Sequence, residues 1–382
     1  MRLALILTLA AGCSAPSRPG PPWLSDARVF VQGVGATNMD CRTGICQHNE
    51  NTDLVTYHGA IYLVHRTAES QILGPNSALH VYRSTDGGRT FAQTALIPAP
   101  TDRDLRDPHF YQVGDTLYMN AITRLPVLSA HDAMVDSVSV AFSTTDGATW
   151  NSLGPIGPHG WSFWRVQQFG GVYYTAAYQD GDLSVTLYSS TDGVTWTAGP
   201  NFYNVAADSP LETELVFLPS GRLLALVRLD GTDSSAEELG DVGPLRTRTC
   251  WADPPYAAFD CSSEIDGQRF DGPLAFFWKS RLFVVARKHL RVDPPDRKRT
   301  SLFELTGDFT KNVAPDVTEW GELPSAGDTA YAGVATLDDH RVLLSWYSSD
   351  VVTDENWTIG MLDACDIWLA SVNLDQLMQP SR

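Results

Sequence analysis

The chain has 382 residues, 43% of them apolar, with 11 Trp, 13 Tyr and 15 Phe. Such a composition can bury a large core and excludes wholesale disorder. A net charge of −18 opposes binding to phosphate backbones, which draws its affinity from clustered Lys and Arg, so nucleic acid is not an expected partner.

The chain opens with a targeting signal: one positive charge at Arg2, a short apolar run from Leu3 to Ala11, then Gly12-Cys13. The run is too short to span a bilayer, which needs about 20 residues. Residues 1–12 are expected to be removed, and residues 13–24, with four prolines, read as a tether. The remaining 25–382 form one domain. Cys41 and Cys46 lie five apart and Cys250 and Cys261 eleven apart, which predicts two short-loop disulfides. Cys365 is left over, and no paired CxxC metal pattern occurs.

Beyond the tether the chain repeats. Six apolar, β-rich runs fold around tight polar turns: Leu54 to Arg66, Pro108 to Arg124, Trp164 to Tyr178, Leu215 to Arg228, Leu274 to Arg287 and Val334 to Tyr347. With turns at 59, 114, 170, 221, 280 and 339, the intervals are 55, 56, 51, 59 and 59 residues. Helix signals are almost absent, because Gly, Pro, Asn and Asp interrupt every long stretch. A second motif falls between hairpins. Ser84 to Phe91 reads S-x-D-x-G-x-T-aromatic, and Ser143 to Trp150 and Ser189 to Trp196 repeat it with the aspartate displaced by one. Its Asp can cap backbone donors, its Gly can supply a positive φ, and its aromatic can pack between sheets.

That motif resembles the Asp-box of sialidase-type β-propellers. The repeat and the resemblance together predict an all-β fold, a six-bladed β-propeller with four antiparallel strands per blade. A five-bladed propeller is the runner-up and leaves one hairpin unexplained. In a propeller, residues leading into the first strand of each hairpin and leaving the second converge on one face. The leading positions hold Asp53, Asp107, Arg165, Glu212 and Tyr331, with Gly272-Pro273 in the fifth blade. The trailing positions include Arg66, Arg228 and Arg287.

Glu212 followed by Leu218 to Leu223 and Arg228 is similar to a sialidase segment in which a glutamate precedes an L-P-D-G-R-L turn. Gly272-Pro273 with Arg287 is similar to the next blade, and Asp328 to Tyr331 resembles the blade carrying the nucleophile. The resemblance implies that Tyr331 is a nucleophile with Glu212 as its base. It implies too that Arg228 and Arg287 hold a substrate carboxylate. Sialic acids carry a carboxylate at the anomeric carbon, which repels a carboxylate nucleophile but not a neutral phenol. Asp53 and Asp107 compete for the role of acid, and Glu214 competes with Glu212. The family's R-I-P motif is missing, since no arginine lies between Arg42 and Arg66. Arg66, Arg106 or Arg165 stands as its replacement. Each of these residues also has an ordinary reading as a surface ion pair, turn cap or packed side chain, and His48 reads as a hydrogen-bonding neighbour rather than a ligand.

The expected function is hydrolysis of a terminal sialic acid or related acidic sugar by a retaining Tyr/Glu mechanism. A non-catalytic glycan-binding propeller is one alternative. A two-carboxylate glycosidase, with Asp53 and Asp107 about 5 to 9.5 Å apart, is the other. No cofactor or metal is expected, and the partner is a glycan or small acidic sugar. The protein should be an exported monomer. Gly12-Cys13 resembles a bacterial lipobox, which implies that Cys13 carries a lipid anchor, its one link to a membrane.

Overall fold

The structure is a computed structural model that describes residues 20–33, 40–72, 74–126, 136–179, 183–231, 245–290 and 297–378. The leading segment, Cys13 and most of the tether lie outside the described residues. No helix among them is long and apolar enough to cross a membrane.

Strand β1 (Leu24–Val31) precedes a regular series. The first unit contains β2 (His48–Tyr57), β3 (Ala60–Ala68), β4 (Ala78–Ser84) and β5 (Ala92–Pro98). The second contains β6 (Asp104–Val113), β7 (Thr116–Arg124), β8 (Val138–Thr144) and β9 (Asn151–Pro155). In the third, a broken inner strand, β10 (Ser162–Phe163) and β11 (Gln167–Phe169), precedes β12 (Val172–Gln179), β13 (Ser184–Ser190) and β14 (Thr197–Tyr203). The fourth is β15 (Pro210–Phe217), β16 (Leu223–Leu229), β17 (Arg246–Ala252) and β18 (Asp260–Asp266). The fifth is β19 (Asp271–Trp278), β20 (Arg281–Leu290), β21 (Arg297–Thr306) and β22 (Asp316–Glu322). The last comprises β23 (Thr329–Thr336), β24 (Arg341–Ser349) and β25 (Cys365–Asn373), and between β24 and β25 lies the one-turn helix α1 (Trp357–Gly360).

Hydrogen bonding defines five sheets, of which the largest has eight strands. That sheet joins two antiparallel runs, β23-β24-β25 and β2-β3-β4-β5, through the single parallel pair His48↔Cys365. Separated there, the chain forms six antiparallel units. The six hairpins expected from the repeat are the two inner strands of each unit. β1 pairs with β25 as the fourth strand of the last unit, so the two ends of the domain close the ring together. Inner strands pack side by side around it: β2 on β23 and β6, β15 on β19, and β19 on β23. This is the propeller arrangement. Apolar clusters fill the spaces between neighbouring units, with Trp164, Trp251 and Trp346 among the largest enclosed side chains. Cys41–Cys46 and Cys250–Cys261 are disulfide-bonded, and Cys365 is a buried free thiol.

Three outer hairpin turns lock one unit to the preceding one. Asp86 Oδ1 accepts from Thr90 N at 2.9 Å; Asp146 Oδ1 accepts from Ala148 N and Thr149 N at 2.8 and 2.7 Å; Asp192 Oδ1 accepts from Val194 N and Thr195 N at 2.9 and 2.7 Å. The hydroxyls that bond these aspartates belong to Ser84, Thr144 and Ser190. Counted from them, the aspartate is in register in all three turns, and the difference lies in a shorter reach to the aromatic. Behind each turn a glycine abuts the preceding unit. A Cβ on Gly88 would lie 2.6 Å from Leu343, one on Gly147 2.0 Å from the Tyr62 hydroxyl, and one on Gly193 2.6 Å from Val113.

Gly147 also has φ +72°. Gly147→Ala is therefore expected to lower the unfolding free energy by about 1–3 kcal/mol through backbone strain and overpacking, read as a shifted urea midpoint at unchanged slope.

Candidate active site

One surplus residue recurs in the inner strand of every unit. Glu50 pairs with Arg66 and Asp53 with Val64, three steps against two. The same count holds from Arg106 to His109, Pro210 to Thr213, Asp271 to Leu274 and Ala330 to Gly333. In the third unit it is four steps against three, from Phe163 to Gln167. Such bulges bend a strand and re-aim its side chains. Asn51, Asp107, Gly272 and Tyr331 occupy equivalent bulge positions with φ of +51°, +50°, +54° and +46°. Three of the four are not glycine and carry strain of about 1–3 kcal/mol each, a pattern typical of functional sites.

The bulges aim their residues at a cavity of about 220 Å³ lined by Asp107, Glu212, Tyr331, Arg106, Arg228 and Arg287, among others. The Tyr331 hydroxyl donates to Glu212 Oε1 at 2.5 Å. Arg228 Nη1 donates to both Glu212 oxygens, at 3.0 and 2.8 Å, and reaches the Tyr331 hydroxyl at 3.4 Å. Burial and the Glu212 charge push the Tyr331 phenol well above its ordinary value, against the opposing pull of Arg228 and Arg287. The phenol is neutral and hydrogen-bonded to the Glu212 side chain. Gly272 lies against the Tyr331 ring, where a Cβ would come within 2.8 Å of Cδ2. The Arg287 guanidinium sits 5.8 Å from the ring centroid.

Acidic side chains hold the pocket arginines from behind. Arg228 pairs with Asp230 through Nε and Nη2, at 2.6 and 2.9 Å, and lies 3.2 Å from Asp271. Arg287 donates to Asp271 Oδ2 at 3.3 Å and to Asp328 Oδ1 at 3.1 Å. Arg106 donates to Asp104 Oδ2 and Glu50 Oε1, both at 2.9 Å. Burial raises the Asp107 carboxyl to about 6; the charges of Glu212 and Glu50 add to the rise and Arg106 opposes it.

Three residues expected in the site lie outside it. Asp53 stands two places beyond the bulge, with Oδ1 2.8 Å from Arg165 Nη1 and Oδ2 accepting from Phe110 N at 2.8 Å. Arg165 also donates to Ala332 O at 2.6 Å. The pair ties the first, third and last units together and is not part of the lining of this cavity. Arg66 is fully buried between Glu50 and Asp104. It fixes those carboxylates, and they in turn orient Arg106. Asp107 lines the cavity and Asp53 does not, so the two carboxylates do not share its wall. Glu214 is also excluded from the cavity. It accepts from Gln167 Nε2 at 3.1 Å and Ala275 N at 3.2 Å, and burial raises it to about 8.

The cavity also gathers Glu50, Arg124, Tyr178, Asp230, Tyr347 and Trp357. Asp230 follows Arg228 by two residues, a spacing visible in the sequence, whereas Trp357 belongs to a connection outside the repeat.

No protein-family model and no curated protein matches the chain. Solved structures do match its fold. The intramolecular trans-sialidase of Ruminococcus gnavus superimposes with a TM-score of 0.66 at 10% identity, over 95% of this chain and 100% of that one. The Trypanosoma rangeli sialidase gives 0.61 at 14% identity, over 96% of this chain and 61% of the longer trypanosomal chain. A protein of unknown function from Dyadobacter fermentans gives 0.61 at 18%, over 91% and 99%. The fold is that of the sialidase β-propellers.

Removing Asp53 strips a buried arginine of its hydrogen-bonded carboxylate and leaves only Glu214 at 3.8 Å, so Asp53→Ala is expected to lose about 3–5 kcal/mol of stability. Asp107→Asn relieves a crowded carboxylate and is expected to cost less than about 1 kcal/mol. Equal losses in urea denaturation would contradict the division between tie and pocket.

Proposed function

We propose that the chain is an exported glycoside hydrolase that releases a terminal sialic acid or related acidic sugar by a retaining mechanism. The carrying observation is the Tyr331 hydroxyl on Glu212 at 2.5 Å beside the cavity-lining Arg106, Arg228 and Arg287. A non-catalytic binder needs the arginines but has no use for a phenol held on a base at a strained backbone position.

In the proposed reaction Glu212 takes the phenol proton as Tyr331 Oη attacks the anomeric carbon. Arg228 stabilises the carboxylate-phenolate region as charge develops. Arg106, Arg228 and Arg287 receive the substrate carboxylate by charge-assisted hydrogen bonds, with Arg106 replacing the arginine absent from the first unit. Asp107 protonates the leaving oxygen. Water then releases the sugar from Tyr331, with Asp107 taking the water proton as base and Glu212 returning its proton to the phenolate. Two disulfides support an oxidising compartment, in keeping with export through residues 1–12 and attachment at Cys13.

The test is phenol release from a fluorogenic α-sialoside. Tyr331→Phe is expected to abolish retaining turnover. Asp107→Asn is expected to lower kcat by about 10²–10⁴ on a substrate with a poor leaving group. Asp107 acts as acid only when protonated, so kcat/KM should fall as pH rises through about 6. That limb should disappear in Asp107→Asn. Absence of turnover, together with specific retention of sialosides on a glycan array, would favour the binder.

A further inference from the structure

His48, Glu50 and Asp328 lie 280 residues apart in sequence at the extremes and meet in the interior where the first and last units join. All three are buried. His48 Nδ1 donates to the Asp363 carbonyl at 2.8 Å, since a carbonyl can only accept, and this turns Nε2 toward Glu50 Oε2 at 3.6 Å and Asp328 Oδ2 at 3.4 Å. These separations exceed the 2.7–2.9 Å or so of a charge-assisted hydrogen bond. Neither His48 Nε2 nor Asp328 Oδ2 has a hydrogen-bond partner among the described residues. The other oxygen of each carboxylate is anchored. Glu50 Oε1 accepts from Arg106 at 2.9 Å and from Arg66; Asp328 Oδ1 accepts from Arg287 at 3.1 Å and from Tyr347 and Trp357, each at 3.0 Å.

An imidazole with one ring nitrogen tied to a carbonyl, and two carboxylates each with one oxygen tied to donors, is how metal ligands are oriented by their surroundings. The three inward atoms lie within 4.8 Å of one another. Ligand atoms on a tetrahedral zinc, with bonds of 2.0–2.2 Å, stand about 3.3–3.6 Å apart. A single proton on Nε2 can serve one of the two carboxylate oxygens well but not both, whereas a cation serves all three atoms.

We propose that His48 Nε2, Glu50 Oε2 and Asp328 Oδ2 bind a divalent transition-metal ion of the zinc class, a structural staple between the first and last units. With its ligands enclosed, the ion would load as the ring closes. The sequence reading missed the set because Asp328 is remote from His48, so no short spacing betrays it.

The test is metal content of the full chain after refolding in zinc chloride and gel filtration. The expected result is about one retained zinc per chain. Refolding in cobalt instead of zinc should give the d–d absorption of a low-coordinate site, and chelation during thermal unfolding should lower Tm. His48→Gln and Asp328→Asn should each lose the retained ion. If these variants do not fold, the wild-type zinc content and cobalt spectrum still decide. Folded wild-type protein that retains no zinc and gives no cobalt band, with both His48 ring nitrogens protonated by NMR, overturns the proposal in favour of a proton as the buried cation.

Discussion

One extra residue in the inner strand of each unit organises this molecule. A propeller blade without it would alternate its side chains regularly between its two faces. The bulge breaks the alternation in all six units, and in the first, second, fourth and last it turns Asn51, Asp107, Leu211 and Tyr331 toward the cavity. Asp107 and Tyr331 are aimed by this device, and Glu212 follows from the adjoining bulge position. The positive φ at Asp107 and Tyr331 is the local cost. It is offset by the packing between units, in which large aromatic side chains are almost wholly enclosed.

The Asp53–Arg165 pair joins the first, third and last units, and Asp53 also accepts from Phe110 N in the second, close to the Asp107 bulge. Buried ion pairs are poor contributors to net stability but hold groups in one arrangement, because an uncompensated charge there is so costly. The carboxylates around Arg66, Arg106, Arg228 and Arg287 work in the same way. They keep long, rotamer-rich side chains in place before any ligand arrives, which reduces the ordering cost of binding.

Much of this was legible in the sequence. The hairpins were visible because apolar β-rich runs around tight turns recur at an even interval, and Tyr331, Glu212, Arg228 and Arg287 were reached through their resemblance to sialidase segments. Asp53 was misplaced for a definable reason: the bulge sits at Asn51-Thr52, so Asp53 points into the tie rather than the pocket. Arg66 and Arg165 show the other limit. Whether an arginine at a strand end faces a ligand or a buried carboxylate depends on units distant in sequence, and no local pattern carries that information. The meeting of His48 with Asp328 was hidden in the same way.

The proposed mechanism turns on Tyr331 acting as the nucleophile. It is tested most directly by exposing the protein to a fluorinated sialosyl inactivator, which slows release of a covalent intermediate, and mapping the adduct by peptide mass spectrometry. The account predicts a single sialosyl adduct on the Tyr331 side chain, lost in Glu212→Gln protein that cannot deprotonate the phenol. An adduct on Asp107 or another carboxylate, or none on protein that turns over sialosides, would contradict it.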